Sequence, residues 1–242
     1  MSLPSVAVPQ YKCIIPSTGI EIEYRPFLVK EEKLLLIAQE GGDQADQVLA
    51  IARVLADCIS TPDIEIGTLA TFDIEYLFLK LRSKSVGEVI ELSIQHPDSD
   101  CEHTTNVKLN IDDIEIPGPI PDNKISLDKN LGVVLKFPTF QDVAYTEDST
   151  EPQTERLFDL LASCVEYVYD DKEVYNDFTK EEMIEWLEHL PKAQFNKITG
   201  FFENAPSLKH TIKWKCRSCK KNDKVELQGM QSFFTRVLFM KR

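Results

Sequence analysis

The sequence has little glycine and no long apolar run. Nine glycines in 242 residues leave few of the flexible loops that often surround reacting groups. No run approaches the roughly 18 apolar residues of a membrane-spanning helix. The first residues, MSLPSVAVPQ, lack the basic and apolar segments of a secretory signal. We therefore expect neither a membrane partner nor secretion.

The familiar catalytic and nucleotide-binding motifs are also missing. The chain contains no G-x-x-x-x-G-K-[ST], G-x-G-x-x-G, G-x-S-x-G or H-E-x-x-H pattern. His189 and His210 lie singly in helical and strand patterns, and adjacent acids such as Glu181 and Glu182 are expected by chance among forty. The sequence thus predicts a protein without enzymatic activity or a small-molecule substrate.

Charge is abundant but unevenly distributed. The net charge is −13, which argues against binding to nucleic acid or anionic membranes. Residues 207–242, however, carry ten basic and two acidic side chains, whereas residues 141–189 carry fifteen acidic and three basic ones. Two interpretations stay open: the acidic block is a solvated helical surface, or the basic C-terminal part contacts an acidic lobe or another subunit.

Hydrophobic periodicity predicts several helices. The pattern in TKEEMIEWLEHL also begins with a capping box, in which Thr179 is followed three residues later by Glu182. A further short amphipathic helix is predicted at the C-terminus. The predicted helices cover residues 29–40, 43–59, 71–85, 154–170, 179–190, 191–204 and 231–240.

Two segments with alternating polarity resemble each other and predict β-hairpins. The first pairs VIELSIQH with TTNVKLNI, and its turn contains His96, Cys101 and His103. The second pairs KHTIKWKC with KNDKVELQ, and its turn contains Cys216 and Cys219. A gap of two residues lets both thiolates of the second turn reach one ion.

Two such turns facing each other predict a structural zinc site. Tetrahedral Zn²⁺ takes four nitrogen or sulfur ligands at about 2.0–2.3 Å. The favoured ligands are His96, Cys101, Cys216 and Cys219, with His103 as the rival for the fourth place. Free thiols without metal remain an alternative. Catalytic zinc is disfavoured, because protein ligands would fill all four positions.

These elements predict an α+β fold, in which a small β unit with two zinc-ribbon-like hairpins carries N-terminal helices and an inserted acidic helical lobe. Cys13, Cys58 and Cys164 lie in apolar patterns and are interpreted as small core residues. The predicted divisions are an N-terminal α/β region with the first hairpin, a Pro- and Asp-rich linker, the helical lobe, and the second hairpin with the C-terminal helix. They cover residues 1–113, 114–132, 133–206 and 207–242.

Three stretches resemble the baseplate proteins of T4-like contractile-tailed phages, and more narrowly their baseplate hub subunits or hub assembly proteins. They are FLVKEEKLLLIAQE, IGTLATFDIEYLFLKLRSKSVGEVIEL and CRSCKKNDKVELQGMQSFF. The resemblance implies a non-enzymatic virion-assembly or tail component. It would bind other hub or tail proteins, in the host bacterial cytoplasm during assembly, in the virion tail, or in both. In the family that the chain resembles, members often carry a cysteine-rich turn at both hairpin positions, and His96 departs from that pattern.

The C-terminal helix offers candidate partner-binding side chains. Phe233, Phe234, Phe239 and Met240 form an apolar set beside two terminal basic residues, which suits docking into a partner's groove. Packing of the same residues on their own core is the alternative. A different class of function also stays open: a zinc-ribbon phage regulator that binds nucleic acid through the basic C-terminal part.

Overall fold

The computed structural model describes residues 6–41, 44–95, 101, 103–114, 116, 119–147 and 152–228. Two compact units divide the chain. The first, here called the hairpin unit, comprises the described parts of Met1–Ile64, Phe72–Pro117 and Ser207–Arg242. The second, here called the acidic unit, comprises the described parts of Glu65–Thr71 and Gly118–Pro206. No helix among the described residues is both long and apolar enough to span a membrane.

The hairpin unit begins with a short antiparallel pair and three helices. The pair turns through Gly19, whose φ of 71° is the left-handed geometry that glycine adopts without strain. The helices lie where apolar periodicity predicted them, and the first one ends at Gly41. The bounds are β1 Tyr11–Ile14, β2 Glu21–Tyr24, α1 Val29–Gly41, α2 Gln44–Cys58 and α3 Thr71–Val86.

Helix α3 is the most buried helix of the hairpin unit. The predicted stripe of Ile74, Leu77, Phe78 and Leu81 is at most 3% exposed, which confirms its role in the core. Apolar residues surround the helix rather than covering one face, as expected for a helix enclosed by its own unit.

Both predicted hairpins are present. In each, polar outward residues alternate with apolar inward ones, so that each hairpin has one apolar face. These faces pack in one cluster, which includes Leu92, Leu109, Ile212 and Trp214. The strands are β3 Val89–Gln95, β4 Thr104–Asn110, β9 Lys209–Lys215 and β10 Asn222–Gln228.

In its described residues, the acidic unit combines four α-helices with a four-stranded antiparallel sheet, in which β5 (Lys124–Ser126), β6 (Leu131–Leu135), β7 (Val165–Asp170) and β8 (Val174–Tyr175) follow one another in that order. The capping box of α6 is confirmed, since Thr179 and Glu182 exchange side-chain and backbone hydrogen bonds. The elements are β5 Lys124–Ser126, β6 Leu131–Leu135, α4 Phe140–Glu147, α5 Gln153–Ser163, β7 Val165–Asp170, β8 Val174–Tyr175, α6 Lys180–Glu188 and α7 Lys192–Glu203.

One helix prediction is wrong in its second half. The sequence predicted a single helix over residues 154–170, but α5 ends at Ser163 and Val165–Asp170 forms β7. The VEYVYD segment consists largely of β-branched and aromatic residues, and it pairs on one side with β6 and on the other with β8. The acidic segment is therefore not purely helical. The stretch predicted as a loop, 114–132, also contains β5.

The predicted mixture of helices and small antiparallel sheets is confirmed. The proposed C-terminal helix, with Phe233, Phe234, Phe239 and Met240, lies outside the described residues. So does His96.

Candidate metal centre

Three cysteine thiols converge although they are far apart in sequence. The sulfur atoms of Cys101, Cys216 and Cys219 all lie within 4.8 Å of one another. Cys101 Sγ and Cys216 Sγ are 3.7 Å apart. Cys216 is buried, Cys101 is half-buried and Cys219 is exposed. The cluster therefore lies at the rim of the hairpin unit, with Cys216 in the core and Cys219 nearer the surface.

The turn after β9 positions two of these sulfurs. The N–H of Cys216 donates to the carbonyl of Lys221 at 2.9 Å, and the N–H of Lys220 donates to the carbonyl of Cys216 at 3.1 Å. Lys220 has a φ of 63°, a left-handed conformation that turns the chain back toward β10. Both cysteines of the C-x-x-C pattern thus project from one tight turn.

The third sulfur comes from the first hairpin. Cys101 lies shortly before β4 and packs against the apolar cluster that contains Cys216. Nearby, the backbone N–H of Arg217 makes a long hydrogen bond of 3.5 Å to the hydroxyl of buried Thr105. Packing of the two hairpins is what brings Cys101 to the C-x-x-C turn.

The thiols of the second turn differ in acidity. Burial alone would raise the pKa of Cys216, but the backbone N–H groups of Cys219 and Ser218 and the neighbouring thiols lower that pKa to about 7. For Cys219 the backbone N–H of Lys221 lowers the pKa, yet burial and the other two sulfurs outweigh it and raise the pKa. The turn therefore stabilises one thiolate, and the thiolate is the form of cysteine that binds metal.

The other three cysteines lie in a different environment. Burial is the main cause that raises the pKa of Cys13 and Cys58 to about 11 and that of Cys164 to about 12. Cys58 and Cys164 are buried and Cys13 is half-buried. These thiols are protonated and unreactive at neutral pH, as core residues would be.

The three-sulfur cluster fits a tetrahedral metal ion. Zinc–sulfur bonds of about 2.3 Å place neighbouring sulfurs about 3.8 Å apart, close to the separation of Cys101 and Cys216. Soft thiolate ligands favour Zn²⁺ over the harder Mg²⁺ and Ca²⁺. Among the described residues, the cluster contains three ligands. His103 is exposed just before β4 and is not one of them.

Sequence reasoning missed the hydrogen bonds that support the cluster. The contact to Thr105 has no sequence signal, because it depends on how two hairpins pack. The backbone donors Ser218 and Cys219 could have been inferred, since a C-x-x-C turn commonly directs its N–H groups toward the first sulfur.

Comparison with known proteins identifies the family. A family model described as "T4 bacteriophage base plate protein" matches residues 8–235, which is almost the whole chain. Searches of curated proteins and of solved structures gave no significant match. The match spans both hairpins and both units. The chain therefore belongs to the T4 bacteriophage base plate protein family.

Proposed function

We propose that this protein is a non-enzymatic component or assembly factor of the baseplate hub in a contractile phage tail. The family match over residues 8–235 carries this proposal. The protein would act by presenting surfaces to other hub and tail proteins. It would do so in the host cytoplasm during assembly, in the tail baseplate of the virion, or in both.

Within this role, a structural zinc ion would join the two hairpins. Cys101, Cys216 and Cys219 would supply three ligands, and His96 would supply the fourth, with His103 as its rival. Such an ion fixes the end of one hairpin to the other across more than a hundred residues of intervening chain. Its contribution would be local, because metal binding stabilises the parts of the fold that supply the ligands.

Metal analysis tests the zinc proposal. Protein purified without chelator should contain about one zinc per chain, and Cys216→Ser should lose most of it. Cys13→Ser, which removes a thiol outside the cluster, should retain the metal. His96→Ala and His103→Ala compared side by side would assign the fourth ligand. Zinc content near zero in the wild-type protein would contradict the proposal.

Recovery of partners tests the hub proposal. The tagged protein should co-purify from infected cells with central tail proteins, and mass spectrometry of purified particles should separate a virion subunit from an assembly factor. Removing residues 230–242, and with them Phe233, Phe234, Phe239 and Met240, should abolish hub assembly but leave a folded protein. Normal tails from this truncated chain would reject the docking role of the C-terminal segment.

A nucleic-acid-binding regulator is the second candidate. The exposed basic residues around the second turn, including Lys213, Lys215 and Arg217, favour it. Trp214, however, is only 6% exposed and faces the core, so it is not available to stack on a base. A salt-sensitive gel shift with DNA or RNA would support this candidate, and no shift at low salt would remove it.

A further inference from the structure

The outward side of the second hairpin is strongly basic. Alternation along β9 and β10 directs seven side chains to solvent on that side, here called the basic face. It includes four lysines and one glutamate, and the adjacent turn adds three more exposed basic residues. The basic face consists of Lys209, Thr211, Lys213, Lys215, Asn222, Lys224 and Glu226.

This arrangement is unfavourable within the hairpin itself. Lys213 and Lys224 are directly paired across the strands, and like charges in that position repel. No carboxylate of the described residues forms an ion pair with Lys213, Lys215 or Lys224. An opposing acidic surface would relieve the repulsion.

A protein surface suits the basic face better than a nucleic acid does. No aromatic residue is among its seven side chains, and the neighbouring Trp214 points inward, so bases would have nothing to stack on.

The acidic unit offers the complementary charge. Its sequence contains nineteen acidic and eight basic residues, a balance of −11. On α6, Glu181, Glu185 and Glu188 are exposed and follow the spacing of one helix face. Like charges four residues apart repel, and the last turn of α6 has no basic residue to offset the helix dipole.

The spacings of the two surfaces also correspond. Lys213 and Lys215 are two residues apart on a strand, about 6.8 Å along its axis. Glu181 and Glu185 are four residues apart on a helix, about 6 Å along its axis. Two adjacent lysines could therefore face two adjacent glutamates in register.

We propose that the basic face of the β9–β10 hairpin docks on the α6 surface of a second copy of this chain. The two surfaces differ, so the contact is heterologous. Each copy would offer its basic face to one neighbour and its α6 surface to another. This inference does not depend on the hub role or on the identity of the metal. It requires only that the second hairpin and α6 are folded.

Charge reversal tests this contact. Analytical ultracentrifugation of the full chain over a wide concentration range should show self-association that weakens as salt is added. Lys213→Glu with Lys215→Glu should weaken the association by about tenfold or more, because two attractions become repulsions. Glu181→Lys with Glu185→Lys should do the same from the other surface. Combining all four substitutions in one chain should restore the association.

Matched controls keep the test decisive. Lys33→Glu with Lys129→Glu changes the net charge equally at exposed positions elsewhere, and should leave the association unchanged. Circular dichroism and metal content verify that the hairpin has folded in each variant. The variant with Glu181→Lys and Glu185→Lys tests the contact without altering the hairpin. A monomer at every concentration in low salt would overturn the proposal. Nucleic-acid binding that is lost only in the hairpin variant would also overturn it. The same holds if the chain with all four substitutions fails to associate.

Discussion

At the scale of single residues, the buried carboxylate of Asp73 joins two parts of the hairpin unit. The side chain is completely buried in the first turn of α3. It accepts hydrogen bonds from the backbone N–H of Ser17, at 2.9 Å, and from the Ser17 hydroxyl. The carboxylate therefore attaches the β1–β2 turn to the central helix.

Replacing Asp73 by alanine should destabilise the protein strongly. The change leaves the N–H and hydroxyl of half-buried Ser17 without this acceptor, and losing a hydrogen bond to a charged group costs about 1.5–3 kcal/mol. Urea unfolding would measure the loss. Asp46→Ala removes an exposed acid from the first turn of α2 and should change the unfolding free energy far less. Equal losses in both variants would contradict this role for Asp73.

Glu31 is a second buried carboxylate, and its ionisation should make stability depend on pH. Its side chain is within 2.9 Å of Arg25 and 3.1 Å of Lys30, and it accepts the N–H of Leu28 at 2.7 Å. Burial alone would raise the pKa of Glu31, but these three donors together lower it from 4.5 to about 2.

The Glu31 carboxylate binds a proton less readily in the folded protein than in the unfolded chain, so acid favours unfolding. The stabilisation should be complete above about pH 4.5 and should be lost as the pH falls toward 2. The unfolding free energy of the wild-type protein should therefore fall more steeply over this window than that of Glu31→Gln. Glu32→Gln, at the exposed neighbouring position, should keep the wild-type slope. Parallel curves for the wild type and Glu31→Gln would refute the assignment.

At the scale of elements, Gly132 in β6 leaves room for the side chain of its cross-strand neighbour in β7. Gly132 is paired with Tyr169, and the tyrosine ring lies over the place where a Cβ would be. The Lys124 amine lies 4.7 Å from the centre of the same ring. Glycine at this position makes room for the ring to lie flat on the sheet.

Gly132→Ala should destabilise the acidic unit by about 1–3 kcal/mol, because the added methyl group forces the Tyr169 ring to move. Thermal unfolding would measure the change. Gly200→Ala is the matched control, since a Cβ at Gly200 meets no atom within 4 Å. In the Tyr169→Ala background, the cost of Gly132→Ala should largely disappear. A cost that stays the same without the ring would show that backbone conformation, not the ring, requires glycine.

At the scale of the whole molecule, the candidate metal centre belongs to one unit only. Cys101, Cys216 and Cys219 all lie in the hairpin unit, which is assembled from three separate stretches of the chain. The acidic unit has its own core, formed between its sheet and its helices. Metal removal should therefore act unevenly along the chain.

Hydrogen exchange before and after chelation would reveal this difference. Exchange in β4, β9 and β10 should accelerate by about tenfold or more, because the ligands no longer join the hairpins. Amides of α5, α6 and α7 should keep their exchange rates. In Cys216→Ser, the chelator should have no further effect. Uniform acceleration across both units would contradict a local structural role for the metal.

Local features of the fold were predictable from the sequence. Helices α1, α2 and α3 follow apolar periodicity, and the capping box at Thr179 marks the start of α6. The mixed helix and sheet class and the two hairpins follow from the same reasoning. These patterns succeed because the hydrogen bonds of a helix, and the alternation of a strand with one buried face, depend on residues close together in the chain.

Strand β7 shows where this reasoning failed. Val165 and Val168 are three residues apart, a spacing that continues the helical stripe of the preceding residues, so periodicity favoured extending α5. Pairing with β6 makes this segment a strand, and β6 is about thirty residues away in sequence. Contacts at that distance leave no signal in a local pattern.

The sequence by itself determined the residue types and the spacing of the candidate metal centre, since a C-x-x-C turn after one alternating strand and a cysteine before another already indicate metal ligands. Only the tertiary structure decided which thiols meet. Packing of the apolar faces brings Cys101 to 3.7 Å from Cys216, whereas Cys13, Cys58 and Cys164 stay outside the cluster. It also decided that the lysines of β9 and β10 share one exposed face. The physical reason is that burial of apolar surface is non-directional. It therefore brings together side chains that are far apart in the sequence.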